Sequence, residues 1–141
     1  MTAGGGAENE RILRETDRIS SQHAQINIVY ADLLRALDKG AHHNAFVCFV
    51  RWRDVLHAHF EVEDRIYFPT VRNFRPDRKE VLEQLEREHA EFRSALDRIE
   101  RYVSINAIEE TREHLAAFVD VLLRHEGVEE ALLLEMTQGR P

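Results

Sequence analysis

Histidines and glutamates recur in this sequence at intervals that suit a metal site. D-V-L-H-A-H-F-E-V-E-D runs from Asp54 to Asp64, and D-V-L-L-R-H-E-G-V-E-E runs from Asp120 to Glu130, 66 residues later. Both carry H-x-x-x-E, formed by His59 with Glu63 and by His125 with Glu129. Residues four apart lie on one stripe of an α-helix, so each copy points an imidazole and a carboxylate the same way. At the same offset His23 matches His89, and ten of the 54 positions aligned between 16–69 and 82–135 are identical. Each half reads as a lone histidine followed 36 residues later by H-x-x-x-E.

Positioning these residues requires helices, and apolar spacing of three and four without strand-like alternation predicts four of them. The first runs from about Asn9 to Asp38 and stops at Lys39-Gly40, with glycine as its C-terminal cap. The second runs from about His42 to Phe68 and ends before Pro69. Asp77 with Glu80 reads as the capped start of the third, which extends to about Tyr102. Asn106 reads as the cap of the fourth, which reaches about Met136. Short connections make neighbours antiparallel, so the expected fold is all-α: an up-down-up-down four-helix bundle with an internal pseudo-two-fold repeat. The expected division is a flexible lead over residues 1–7 and one bundle domain over residues 8–138.

Helical rise brings two residues to one level when they are equidistant from the turn between them. The midpoint of His23 and His59 is residue 41, that of His89 and His125 is residue 107, and that of Glu63 and His89 is residue 76. Each falls in a predicted connection, so all six residues share one layer, roughly 25 Å from the turns. Trp52, Phe118, Ile26 and Phe92 lie on the same stripes and frame that layer with apolar groups. An isolated H-x-x-x-E is most simply a hydrogen-bonded pair or a surface feature. Two copies at one level, joined by two histidines in register, point instead to metal ligation, because unsatisfied polar groups in a dry core are costly. His23, His59, Glu63, His89, His125 and Glu129 are the expected ligands. Two cations bridged by Glu63 and Glu129, each with two imidazoles, use the set fully. Imidazole with carboxylate suits iron, and zinc or manganese accept the same ligand types.

His59-Phe-Glu-Val-Glu63-Asp-Arg-Ile-Tyr-Phe68-Pro69 resembles the H-x-x-x-E-E-x-x-x-F-P signature of the hemerythrin-like (HHE cation-binding) family. His125 to Glu129 is similar to that family's second H-x-x-x-E, and His23 and His89 stand at its lone-histidine positions. The resemblance spans about residues 16–136 and implies a non-haem, oxo-bridged di-iron centre that binds dioxygen or another small ligand. Oxygen carriers of the family have one more histidine, a turn before the third-helix ligand. That place is Leu85 here, and its counterpart in the first half is Ile19. Neither ligates, so the expected site is more symmetric, with an exchangeable position on both metals. Nitric oxide or peroxide chemistry and iron handling then gain on plain oxygen carriage.

Among the other conspicuous residues, Tyr30 lies two turns from His23 on the inner face. Its hydroxyl is either a partner for a bound ligand or that of an ordinary core tyrosine. Glu86, Glu88 and Glu91 read as mostly surface residues; if one of them replaces the missing histidine, Glu86 has the better angle. Asp64 and Glu130 read as exposed or as partners for ligand N–H groups. His57 is expected to face solvent, and His42 and His43 to begin the second helix. His114 reads as a half-buried histidine too distant to ligate, and Cys48, the only cysteine, as a small core residue.

A net charge of −7, from 26 acids and 19 bases, argues against a nucleic-acid partner. No apolar run suits a membrane span or a signal peptide, so cytoplasm is the expected location. The expected partners are a small diatomic ligand or peroxide, together with an unidentified redox partner. The expected role is binding for sensing, storage or protection. An enzyme that decomposes peroxide or reduces a small oxidant, or iron storage, is the alternative.

Overall fold

The computed structural model of the chain describes residues 3–138. Among these residues there is no strand. Helix α1 spans Ala3–Asp38, α2 His42–Val62, α3 Phe68–Phe74, α4 Lys79–Ser104 and α5 Ile108–Gln138. A π turn, Glu63–Tyr67, joins α2 to α3 without a break, and a short 3-10 turn, Pro76–Arg78, leads into α4. Helix α1 packs against α2 and α5, and α4 packs against the same two, which makes a helical bundle. The lead expected over residues 1–7 overlaps the start of α1 from Ala3, while Met1 and Thr2 lie outside the described residues.

Two turns set the level of the bundle, and they are built alike. Gly40 (φ 66°) and Asn106 (φ 57°) both take the left-handed conformation, which glycine and asparagine tolerate best. The amide of Ala41 donates to the Ala36 carbonyl and that of Gly40 to Leu37; Ala107 likewise donates to Tyr102 and Asn106 to Val103. This paired bonding closes a helix C-terminus. Asn106 therefore ends α4 and does not cap the following helix, as the sequence had suggested.

The start of α4 and the passage through Pro69 also differ from expectation. Asp77 accepts two hydrogen bonds from the Arg75 guanidinium, at 3.0 and 2.9 Å, so it is occupied and does not cap α4. The second rod does not stop at Phe68 but continues to Phe74. In a regular helix the Pro69 ring would collide with the carbonyl four residues earlier. The π turn relieves this by inserting one residue: the Phe68 amide donates to the Glu63 carbonyl, five residues back. Pro69 then sits in the first turn of α3, where its missing N–H costs little.

The core has two apolar clusters. One, toward the two tight turns, includes Ile26, Trp52, Phe60, Phe92 and Phe118; the other, toward the opposite end, includes Ile19, Tyr67, Phe68, Leu85 and Leu132. Burying each such large side chain contributes about 1.5–3 kcal/mol. The polar layer lies where the two meet, and Phe60 and Phe68 both stack on the His89 ring between them.

Candidate metal centre

All four rods contribute to one buried cluster: α1 supplies His23, α2 His59, the π turn Glu63, α4 His89, and α5 His125 and Glu129. All six residues are buried, and both glutamates are fully so. The Nε2 of His59 lies 3.2 Å from Glu63 Oε2, and that of His89 lies 2.9 Å from Glu63 Oε1. The Nε2 of His23 lies 3.1 Å from Glu129 Oε1, and that of His125 lies 3.1 Å from Glu129 Oε2. Two nests follow: His23, His59, Glu63 and Glu129 form one, and Glu63, His89, His125 and Glu129 form the other. Within each nest the four donor atoms lie within 4.8 Å of one another.

Three of the four remaining ring nitrogens face acceptors that orient them. The Nδ1–H of His59 donates to Gln22 Oε1 at 2.7 Å, that of His89 to Asp64 Oδ1 at 2.7 Å, and that of His125 to Glu88 Oε1 at 2.6 Å. His23 Nδ1 lies 3.6 Å from Glu130 Oε2. Holding the proton on Nδ1 leaves the Nε2 lone pair free, as a metal ligand requires. Asp64 thus partners the N–H of His89, one of the two roles expected of it, while Glu130 is exposed, the other expected role, and His23 Nδ1 has no hydrogen-bond partner among the described residues. Glu88, expected at the surface, instead reaches His125. Glu86, the better angled of these acids to replace the missing histidine, is held by the Arg72 guanidinium at 3.0 Å.

The donor set fits a cation. Among the described residues, Nε2 of His59, His89 and His125, both Glu63 oxygens and Glu129 Oε2 are sealed from solvent without a well-directed hydrogen bond. Such atoms each cost several kcal/mol unless something satisfies them. With His23 Nε2 and Glu129 Oε1 they approach one another at ligand–ligand spacing, within 4.8 Å in each nest. Burial pushes the carboxyl of Glu63 well above the usual range, and the neighbouring Glu129 carboxylate adds to this. At Glu129 the same burial is outweighed by Glu63 and the His125 and His23 rings, which draw it well below that range. Burial lowers His59 to about 3, so its ring is neutral and ready to ligate. At His23 and His125 burial works the same way, but the bond to Glu129 outweighs it and raises both. A cation would displace those protons.

Two residues at the cluster were not among the expected site residues. Tyr67 is fully buried, and its hydroxyl has no hydrogen-bond partner among the described residues. Burial raises its pKa, and the charges of Glu129 and Glu63 raise it further. Its i+4 spacing from Glu63 was the available signal. Tyr30, the tyrosine singled out from sequence, is half-buried and packs tilted against Trp52, ring centroids 5.1 Å apart, in the apolar cluster. Glu126 is 6% exposed, with Oε2 unpartnered among the described residues and 4.0 Å from His23 Nε2. Burial raises its pKa, against the pull of His23. Sixty-six residues earlier the same place is Phe60, stacked on His89 at 4.5 Å. The two nests therefore do not have the equal surroundings expected from Leu85 and Ile19, which both lie in the apolar cluster beyond the site.

The remaining histidines are remote from the nests. His42 and His43 are exposed at the start of α2. His114 is half-buried against Tyr102, with ring centroids 4.7 Å apart. His57, expected in solvent, is half-buried, and burial together with Arg93 and Arg53 lowers its pKa. Cys48 is a free thiol packed against the core.

A helical bundle whose core holds a buried imidazole–carboxylate cluster able to hold cations defines a metal-binding class of protein. The sequence matches the family model described as the hemerythrin HHE cation binding domain over residues 14–137. The chain belongs to that family. No curated protein and no solved structure matches it. No helix among the described residues is long and apolar enough to cross a membrane.

Proposed function

We propose that the chain is a non-haem di-iron protein that binds dioxygen, nitric oxide or peroxide, for sensing, storage or protection. The observation that carries this reading is the pair of nests sharing Glu63 and Glu129, each completed by two imidazoles. Nitrogen and carboxylate donors without sulfur suit iron. Bound iron would supply a coordination position for the small ligand and electrons for its reduction. The protein's part is to hold each Nε2 toward the cation, to share two carboxylates between cations, and to limit water with the apolar clusters on either side. An antiparallel up-down-up-down arrangement with an internal two-fold repeat belongs to this reading. It is supported by the like-built turns at Gly40 and Asn106 and by the Nδ1 partners Gln22 and Glu88, also 66 residues apart.

Tyr67 favours a second reading, an enzyme that decomposes peroxide or reduces a small oxidant. Its sealed hydroxyl, without a hydrogen-bond partner among the described residues, is free to donate a hydrogen bond to a substrate oxygen. Metal analysis with an absorption spectrum before and after reduction tests the first reading. About two irons per chain with near-ultraviolet oxo-to-iron bands are expected, and stoichiometric zinc without them would overturn the iron assignment. Peroxide separates the two readings: a single stoichiometric colour change supports binding, and sustained oxygen release supports the enzyme.

A further inference from the structure

We propose that Glu126 is a seventh cation ligand, serving the His23–His59 position alone and making the two positions chemically unequal. The proposal rests on the dinuclear reading above and adds to it a direction. Glu126 lies three residues before Glu129, on the inner stripe of α5. It is 6% exposed, and its Oε2 has no hydrogen-bond partner among the described residues. A buried carboxylate oxygen without a hydrogen bond is unfavourable unless a positive group is brought to it. The distances indicate where that group belongs. Ligands about 2.1 Å from one ion stand about 3.0 Å apart when adjacent and about 4.2 Å apart when opposite. The four Nε2-to-carboxylate distances of 2.9 to 3.2 Å are of the adjacent kind. Glu126 stands outside the four-atom nest as it is; its Oε2 and His23 Nε2 are 4.0 Å apart, the spacing of opposite ligands, and ligation requires the glutamate's flexible side chain to turn toward the nest.

The other nest has nothing equivalent. Phe60 occupies the matching place and stacks on His89 at 4.5 Å, Phe68 covers the same ring at 5.5 Å, and Phe92 meets His125 edge-on at 5.0 Å. The His23–His59 position thus has five protein donors and an extra negative charge, and the His89–His125 position has four donors and an aromatic wall. The first cation accordingly binds on the His23 side. The second side keeps more of its coordination sphere open, and its apolar wall suits an uncharged diatomic ligand.

Zinc titration of the metal-free full-length protein by calorimetry tests this with a redox-silent probe. The parent protein is expected to take up two equivalents in two resolved steps. In Glu126→Gln and Glu126→Leu the tighter step weakens by about 10- to 100-fold or more, while the weaker step is unchanged. His23→Ala should lose that same tighter step and His89→Ala the other. The metal-free variants should melt no lower than the parent, since the buried Glu126 Oε2 gives up no hydrogen bond. Both steps surviving in Glu126→Gln, a loss in the His89 step, a single unresolved step in the parent, or a lower metal-free melting point accompanying weaker binding would each overturn the assignment. A parent protein that takes up fewer than two cations would instead bring down the dinuclear reading on which it rests.

Discussion

Glu63→Gln keeps the shape of a side chain that faces both nests while removing its charge. In the metal-free protein the change is mild, because burial and Glu129 already hold the Glu63 carboxyl well above the usual range. In the loaded protein it acts twice: one oxygen lies 3.2 Å from His59 Nε2 and the other 2.9 Å from His89 Nε2. Groups that merely support a ligand are worth about 10- to 100-fold in metal affinity, so about 100-fold is a modest figure for each ligand oxygen. Such a loss removes about 2.7 kcal/mol of metal-derived stability per cation, or about 5 kcal/mol for the pair. At about 2–4 °C per kcal/mol, the metal-dependent rise in melting temperature shrinks by roughly 10–20 °C. His59→Ala and His89→Ala each touch one nest and forfeit about half as much. The assay is thermal unfolding with chelator and with excess zinc. A Glu63→Gln protein whose metal-dependent rise equals that of either histidine variant would refute the shared carboxylate.

Other consequences are open to measurement. Glu88→Ala, which removes the acceptor 2.6 Å from His125 Nδ1, should weaken one cation by about 10- to 100-fold in a zinc titration. Glu86→Ala, whose carboxylate engages Arg72, should leave both affinities unchanged. Metal affinity should rise with pH through and beyond the ordinary imidazole value of 6.5, because protons on His23 and His125, held there by Glu129 against burial, must leave first. Zinc binding should therefore release protons, measurable in buffers of different ionisation heat, and the release should fade once both rings are neutral. Gly40→Ala should destabilise the fold by about 1–2 kcal/mol in denaturant unfolding. The cause is the left-handed backbone at φ 66°, since an added methyl group would meet nothing within 4 Å. Asn106→Gly should be neutral or slightly stabilising.

The sequence carried much of the site because its ligands are spaced by helical arithmetic. His23, His59, His89 and His125 are brought to one level by turns whose positions are written in Gly40 and Asn106, and the H-x-x-x-E pairs fix their own facing. The rest depended on contacts between helices. Pro69 looked like a stop because proline normally ends a helix, whereas here the widened turn before it relieves the clash and Tyr67 and Phe68 pack into the core. Asp77 looked like a cap until Arg75 claimed it. What Glu86 and Glu88 do turns on which neighbouring rod each faces: Arg72 of α3 takes the first, and His125 of α5 takes the second. Glu126 was hidden in plain view. Repeat matching rewards identity, and the informative position was a mismatch, a glutamate where the other half has phenylalanine.

The widened turn at Glu63–Tyr67 also limits how this chain can be edited. Each residue of an α-helix advances the chain by about 100° around its axis, so trimming one residue there to restore uniform pitch would swing everything downstream like a misaligned gear. Phe68 and Val71 would be carried off the interior toward water, while Glu63 kept its bearing on the histidines. Homologous grafts or deletion libraries that treat this stretch as ordinary helix should yield proteins with a sound cluster or a sound far end, but not both.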